Sequence, residues 1–227
     1  MFKRDIIITI GSIWKRIVLV IALLFFSFII YAKYCDNVVD FLNILVPKNN
    51  IDVIYENFYF LTLFFSGYFI TVNTVSNDLF RNNWMFFIRC KKKSNIFISK
   101  MFFLFLFDLI FYQVIGIFYD ICSYYLFRDI SIIKSIHFFM LVIGCGVYSI
   151  SILTIFLEMF FKETISILIS IIVVLANLLA KNIFLIGGII SILMTKSYDL
   201  ISFIPFFLNI IIVIFVSTIL YVKKDRY

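Results

Sequence analysis

The sequence predicts an all-α polytopic membrane protein: six transmembrane helices, an N-terminal interfacial helix and a re-entrant segment before the last span. Three observations lead there. Hydrophobic residues make up 64% of the 227 residues and charged ones 15%, against about 45–50% and about 25% in soluble domains. The apolar residues are gathered into runs of about 20, the number that crosses a hydrocarbon core of about 30 Å. The Lys and Arg residues fall in the gaps between those runs, and the densest group is Arg89-Cys90-Lys91-Lys92-Lys93.

Residues 1–16 are too short and too charged to span. Phe2, Ile6, Ile10, Ile13 and Ile17 share one narrow arc at about 100° per residue, with Arg4, Gly11, Ser12, Lys15 and Arg16 elsewhere. This is the pattern of a helix lying in the headgroup layer with Trp14 at interfacial depth; a topogenic tail is the plainer reading. Spans follow at about 17–34, 58–76, 101–127, 136–157, 164–180 and 200–222, all in one transmembrane domain, 1–227. The first span ends at Tyr31-Ala32-Lys33-Tyr34-Cys35, without the small residues a signal peptidase requires, so it is expected to stay in the mature chain. Residues 183–195 are apolar, contain Gly187 and Gly188, and number too few to span, which suits a re-entrant or interfacial segment.

With both termini inside, the predicted cytoplasmic segments hold fourteen of the twenty Lys and Arg residues and the outer loops hold Lys33, Lys48, Arg128, Lys134, Lys181 and Lys196. Positive charge marks the cytoplasmic side. The same distribution accounts for the net charge of +7 without nucleic acid as a partner; the lipid bilayer is the expected one. The abundance of Phe, Ile, Asn and Lys suits a low-GC bacterial genome, hence a bacterial plasma membrane.

Enzymatic motifs are missing. There is no phosphate-binding loop of the GxxxxGK[ST] form, and one histidine, His137, cannot build a two-histidine metal site. Cys35, Cys90, Cys122 and Cys145 show no metal-binding spacing; Cys35 and Cys122 both fall near the outer face, where a disulfide would be sterically allowed only with the right geometry. Glu158, Lys162 and Glu163 read as an interfacial charge cluster, and His137 as an interfacial residue. No cofactor or metal is expected in this chain.

Polar residues inside spans are the functional candidates. Asp108 and Asp120 lie in the third span, about 120° apart, each about seven residues from an end, where water is expected to reach. Gln113, Gly116 and Asp120 share a side, suited to lining or packing. Ser166, Ser170 and Asn177 in the fifth span fall within about 40°, a stripe that faces another helix or a water-filled path. Gln113, Asp120, Ser166, Ser170 and Asn177 are the candidate translocation path. Gly144 and Gly146 allow close contact of the fourth span with a neighbour.

Residues 77–100 mix aromatics with charges. Phe80, Trp84 and Phe87 recur at i, i+4 and i+7, one stripe of an amphipathic helix that either anchors in the interface or docks into a partner's groove. Taken with the interfacial helix, six spans and re-entrant segment, this loop resembles that of the membrane subunit of type-2 ABC exporters. That family places an acid, a basic residue, a short helix, a small residue and a Lys entering the third span; Asp78, Arg81, Ser94 and Lys100 stand at those places. Asp78 replaces the commoner Glu, the usual Gly is absent, and Lys93 stands where Pro often precedes the Ser.

The resemblance implies a permease subunit without its own ATPase site, paired with a second permease copy or homologue. Cytosolic ABC ATPase subunits that bind ATP would dock on Asp78, Phe80, Arg81, Trp84, Phe87, Arg89, Ser94 and Lys100. Small permeases of this build suggest an amphiphilic or antimicrobial peptide as cargo. The alternatives are a non-transporting membrane immunity or scaffold protein, and an ion-coupled carrier using Asp108 or Asp120.

Overall fold

A computed structural model describes residues 2–32, 57–72, 79, 93–127, 133–179 and 200–224. Six helices account for nearly all of them: α1 (Phe2–Ala32), α2 (Phe58–Thr71), α3 (Lys93–Phe127), α4 (Ile133–Glu158), α5 (Glu163–Leu179) and α6 (Leu200–Lys224). There is no strand among the described residues. Three helices contain stretches long and apolar enough to cross a membrane, Ile13–Ile30, Ser94–Leu126 and Ile136–Glu158. The protein is therefore an all-helical membrane protein. The re-entrant segment expected at 183–195 lies outside the described residues, as does most of the loop at 77–100.

α1 is one unbroken helix of 31 residues, with no break between the expected interfacial helix and the first span. Its inward side explains the continuity. Ile13, Val20, Leu24 and Phe28 are all buried, and at 100° per residue they occupy the arc that holds Phe2, Ile6 and Ile10. The apolar positions of the first turns thus share the helical arc of the stripe that packs on the bundle. Val18, Leu19, Leu23, Phe26 and Ile30 are exposed on the other sides, as residues facing acyl chains are.

α3 also begins earlier than expected. Its 35 residues start at Lys93, so Ser94 and Lys100 lie on its first turns rather than in a loop. Lys100 is buried, at 2% exposure.

α4 is the central element. It packs against α2, α3, α5 and α6, and 78% of its span is buried compared with 22% for α1. The reason is its run of small residues. A Cβ on Gly144 would meet the Asp108 backbone oxygen at 3.3 Å and Leu109 Cα at 3.5 Å, so the absence of a side chain there lets the α3 backbone come close. α2 meets α3 in the same manner at Gly67, where a Cβ would fall 2.6 Å from the Tyr112 hydroxyl. That hydroxyl donates to the carbonyl of Leu63 (2.8 Å) or Phe64 (2.9 Å) and accepts from Gly67 N–H at 3.2 Å. An aromatic anchor from α3 is thereby fixed on the α2 backbone.

The helices alternate in direction. Tyr59 at the start of α2 meets Tyr119 near the end of α3, hydroxyl to hydroxyl at 2.6 Å. Tyr68 and Thr71 near the end of α2 reach Thr154 and Ser151 near the end of α4. Only Met159, Phe160, Phe161 and Lys162 separate α4 from α5, closed by backbone bonds such as Phe161 N–H to Leu157 O at 2.9 Å. At the end of α6, the Tyr221 ring packs at a tilt on Phe97 at the start of α3 (centroids 5.1 Å) and its hydroxyl reaches the Leu79 carbonyl at 3.4 Å. Arg16 of α1 donates to the carbonyl of Val72 just beyond α2, at 3.2 Å. One end of the bundle therefore gathers Arg16, the start of α3, the α4–α5 turn with Lys162, and the end of α6 with Lys223. We refer to it as the basic end.

Candidate functional site

Two polar clusters lie between the helices, one at each end of α4. At the end opposite the basic one, Gln113, Gly116 and Asp120 of α3 form the face expected from their spacing, and all three meet His137 of α4. The Gln113 amide donates from Nε2 to the His137 carbonyl oxygen at 3.1 Å, and its Oε1 lies 2.9 Å from His137 Nδ1. On the other side of the ring, His137 Nε2 is 2.7 Å from Asp120 Oδ2. Gly116 makes room for the imidazole, since a Cβ there would stand 3.1 Å from Nδ1. The cluster is not sealed: the His137 side chain is 31% exposed and that of Asp120 16%.

His137, expected to be a simple interfacial residue, is thus the centre of this cluster. A sequence signal for it exists. α3 and α4 are antiparallel and joined through residues 128–132, so positions roughly equidistant from that connection fall side by side. Asp120 and His137 are such a pair.

Near the basic end the polar groups are hydroxyls. Tyr68 of α2 meets Thr154 Oγ1 at 3.0 Å, and Thr154 Oγ1 meets Ser170 Oγ of α5 at 2.8 Å. Thr71 Oγ1 and Ser151 Oγ add a contact of 3.3 Å. Tyr68, Thr71, Ser151, Thr154 and Ser170 are all buried. Of the stripe predicted on α5, Ser170 joins this ladder. The Ser166 hydroxyl donates to the Lys162 carbonyl at 3.3 Å, in the turn just before its own helix. Asn177 donates to Val173 O at 2.7 Å, and its Oδ1 has no partner among the described residues. All three residues of the stripe are buried.

The two halves of the predicted path are not brought together. His137 and Thr154 are seventeen positions apart on α4, about 25 Å at 1.5 Å per residue. Of the predicted coupling residues, Asp78, Phe80, Arg81, Trp84, Phe87 and Arg89 lie outside the described residues; Ser94 and Lys100 occupy the start of α3 at the basic end.

The two intramembrane acids differ. Water was expected to reach both; Asp120 is partly exposed, whereas Asp108 is completely buried. The cause is the Gly144 contact, which seats the Asp108 backbone against α4. Neither Asp108 carboxyl oxygen has a hydrogen-bond partner among the described residues. Cys122 and Cys145 carry free thiols, and Cys35, the candidate partner of Cys122, lies outside the described residues. No group of three metal-ligating side chains occurs among the described residues.

One further feature is apolar: a groove of about 550 Å³ between α1 and α2, walled by Leu19, Leu23, Phe58, Leu61, Phe65 and Phe69. The hydroxyls at its margin, Thr62 and Ser66, are bonded to carbonyls of their own helix. No family model, curated protein or solved structure matches the chain.

Proposed function

We propose that the chain is the permease subunit of an ATP-driven exporter of the type-2 ABC kind. It works as a dimer of membrane subunits with two cytosolic ATPase subunits that bind the ATP. The single observation that carries this reading is the gathering of the basic helix ends on one side of an alternating bundle. Arg16, the start of α3, Lys162 and Lys223 fall there, and short segments rich in Lys and Arg stay in the cytoplasm. In this reading both termini are cytoplasmic, six spans cross a bacterial plasma membrane, residues 183–195 re-enter it, and the first turns of α1 reach the headgroup layer. Residues 77–92 then face the cytosol beside the start of α3, where an ATPase subunit can push on a helix that carries Tyr112, Gln113 and Asp120.

The cargo that fits is an amphiphilic or antimicrobial peptide, exported or removed as self-protection. An apolar groove open between α1 and α2 suits an amphiphile better than an ion.

A second reading is favoured by one observation. The hydroxyls of Tyr68, Thr154 and Ser170 satisfy one another in a buried ladder, as in a helical scaffold that binds a toxin without moving it. The two readings separate on ATPase coupling. Trp84→Ala removes the central aromatic of the proposed docking stripe, and an anchor of that type contributes about 2 kcal/mol or more. The expected result is loss of the co-purifying ATPase with membrane insertion unchanged, because Lys91, Lys92 and Lys93 still set the orientation. Unchanged complex formation and unchanged transport would leave the scaffold reading.

A further inference from the structure

We propose that Gln113, His137 and Asp120 form a proton-binding site that clamps α3 to α4 at the end of the bundle opposite the basic one. The His137 carbonyl can only accept, so the Gln113 nitrogen that lies 3.1 Å from it must be the donor. This fixes the amide and turns its oxygen, a pure acceptor, toward Nδ1 at 2.9 Å. Nδ1 therefore bears a hydrogen. On the far side, Nε2 and Asp120 Oδ2 at 2.7 Å also need a hydrogen between them. The pair thus holds two protons, as an imidazolium beside a carboxylate or as a neutral ring beside a carboxylic acid. A neutral ring beside a carboxylate holds only one.

Losing that proton breaks part of the clamp. If Nδ1 gives it up, two lone pairs face each other across 2.9 Å, and the Gln113 amide can relieve this only by flipping. The flip points its oxygen at the His137 carbonyl and forfeits the bond between the helices. If Nε2 gives it up, the ring lone pair faces the carboxylate. Either way one of the three contacts between α3 and α4 is lost. Gly116 keeps the ring within reach of both partners.

Among the described residues no competing charge faces the ring, and Asp120 is the ionisable side chain that meets it; Tyr119, beside Asp120, turns its hydroxyl to Tyr59 of α2, and Cys122 is a half-buried thiol. Partial exposure of His137 and Asp120 gives the proton a way in and out. A histidine is suited to this because its charge changes between about pH 5 and 8. The inference does not depend on the exporter reading.

The chain has one histidine, so labelling histidine with ¹⁵N in the full chain in lipid nanodiscs reports this ring alone. The expected result is that the ring signals of wild type show a hydrogen on Nδ1, bonded to the Gln113 oxygen, and a hydrogen bridging Nε2 and Asp120, and that Asp120→Asn changes the Nε2 signal while Nδ1 keeps its hydrogen. Should Asp120→Asn not fold, Gln113→Leu tests the other side of the ring, where the Nδ1 signal should change and the Nε2 bridge to Asp120 should stay. Ring signals in wild type equal to those in the folded variant would overturn the proposal. Amide-exchange protection at the start of α4 gives a second readout. It should fall in wild type as the pH is raised and stay level in His137→Gln; equal profiles would contradict the clamp.

Discussion

The two ends of α4 are held to their neighbours by different chemistry. At the basic end Tyr68, Thr154 and Ser170 form a buried chain of hydroxyls across α2, α4 and α5. At the other end Gln113, His137 and Asp120 join α3 and α4 through an amide, an imidazole and a carboxylate that remain partly exposed. Hydroxyls can donate and accept and carry no charge, so they can be buried completely and hold at any physiological pH. An imidazole with a carboxylate holds firmly only while the pair keeps its proton, and it needs access to water to exchange it. One end of the helix is a permanent joint and the other a conditional one.

The largest effect expected is at the permanent joint. Thr154→Val keeps the shape and removes both links of the ladder, at a cost of about 1–2 kcal/mol for two bonds between membrane helices. Reversible unfolding in mixed micelles should show the same loss at about pH 6 and 8; a loss that grows with pH would erase the distinction. Next is Gly116→Ala, whose Cβ must displace a ring atom at 3.1 Å. The ring can yield by a few tenths of an ångström, so about 1 kcal/mol is expected, and a smaller loss at high pH where the clamp is already weakened. Smaller still is Ser170→Ala, about 0.6 kcal/mol for one link. Ser166→Ala should fall within about 0.5 kcal/mol of wild type, because its hydroxyl bonds only the carbonyl four residues before it and links no second helix. A Ser166 effect larger than that of Ser170 would place the joint elsewhere.

The helices were legible in the sequence because apolar run length is a direct signal for elements that must meet lipid. The start of α3 at Lys93 was not, since hydropathy marks where a helix can enter hydrocarbon and not where its hydrogen bonds begin. Nor was the continuity of α1: the arc of Phe2, Ile6, Ile10 and Ile13 is the same whether it rests on headgroups or on neighbouring helices. The face of Gln113, Gly116 and Asp120 was visible from its period, but its partner His137 required the register of α3 against α4. Thr154 gave less warning. A threonine inside a span can bond its own helix, as Thr154 does to Ile150 O at 2.9 Å, and nothing in its own sequence neighbourhood reveals that Tyr68 and Ser170 also reach it.

The account depends most on which side of the membrane the basic end faces. Single cysteines at Asn49, Ser94 and Asp225, placed in a cysteine-free chain in intact cells, test this with a thiol reagent that cannot cross the bilayer. The account predicts labelling at position 49 and none at 94 or 225 until the membrane is opened. Labelling at 225 from outside would put the basic end on the wrong face and contradict ATPase docking there.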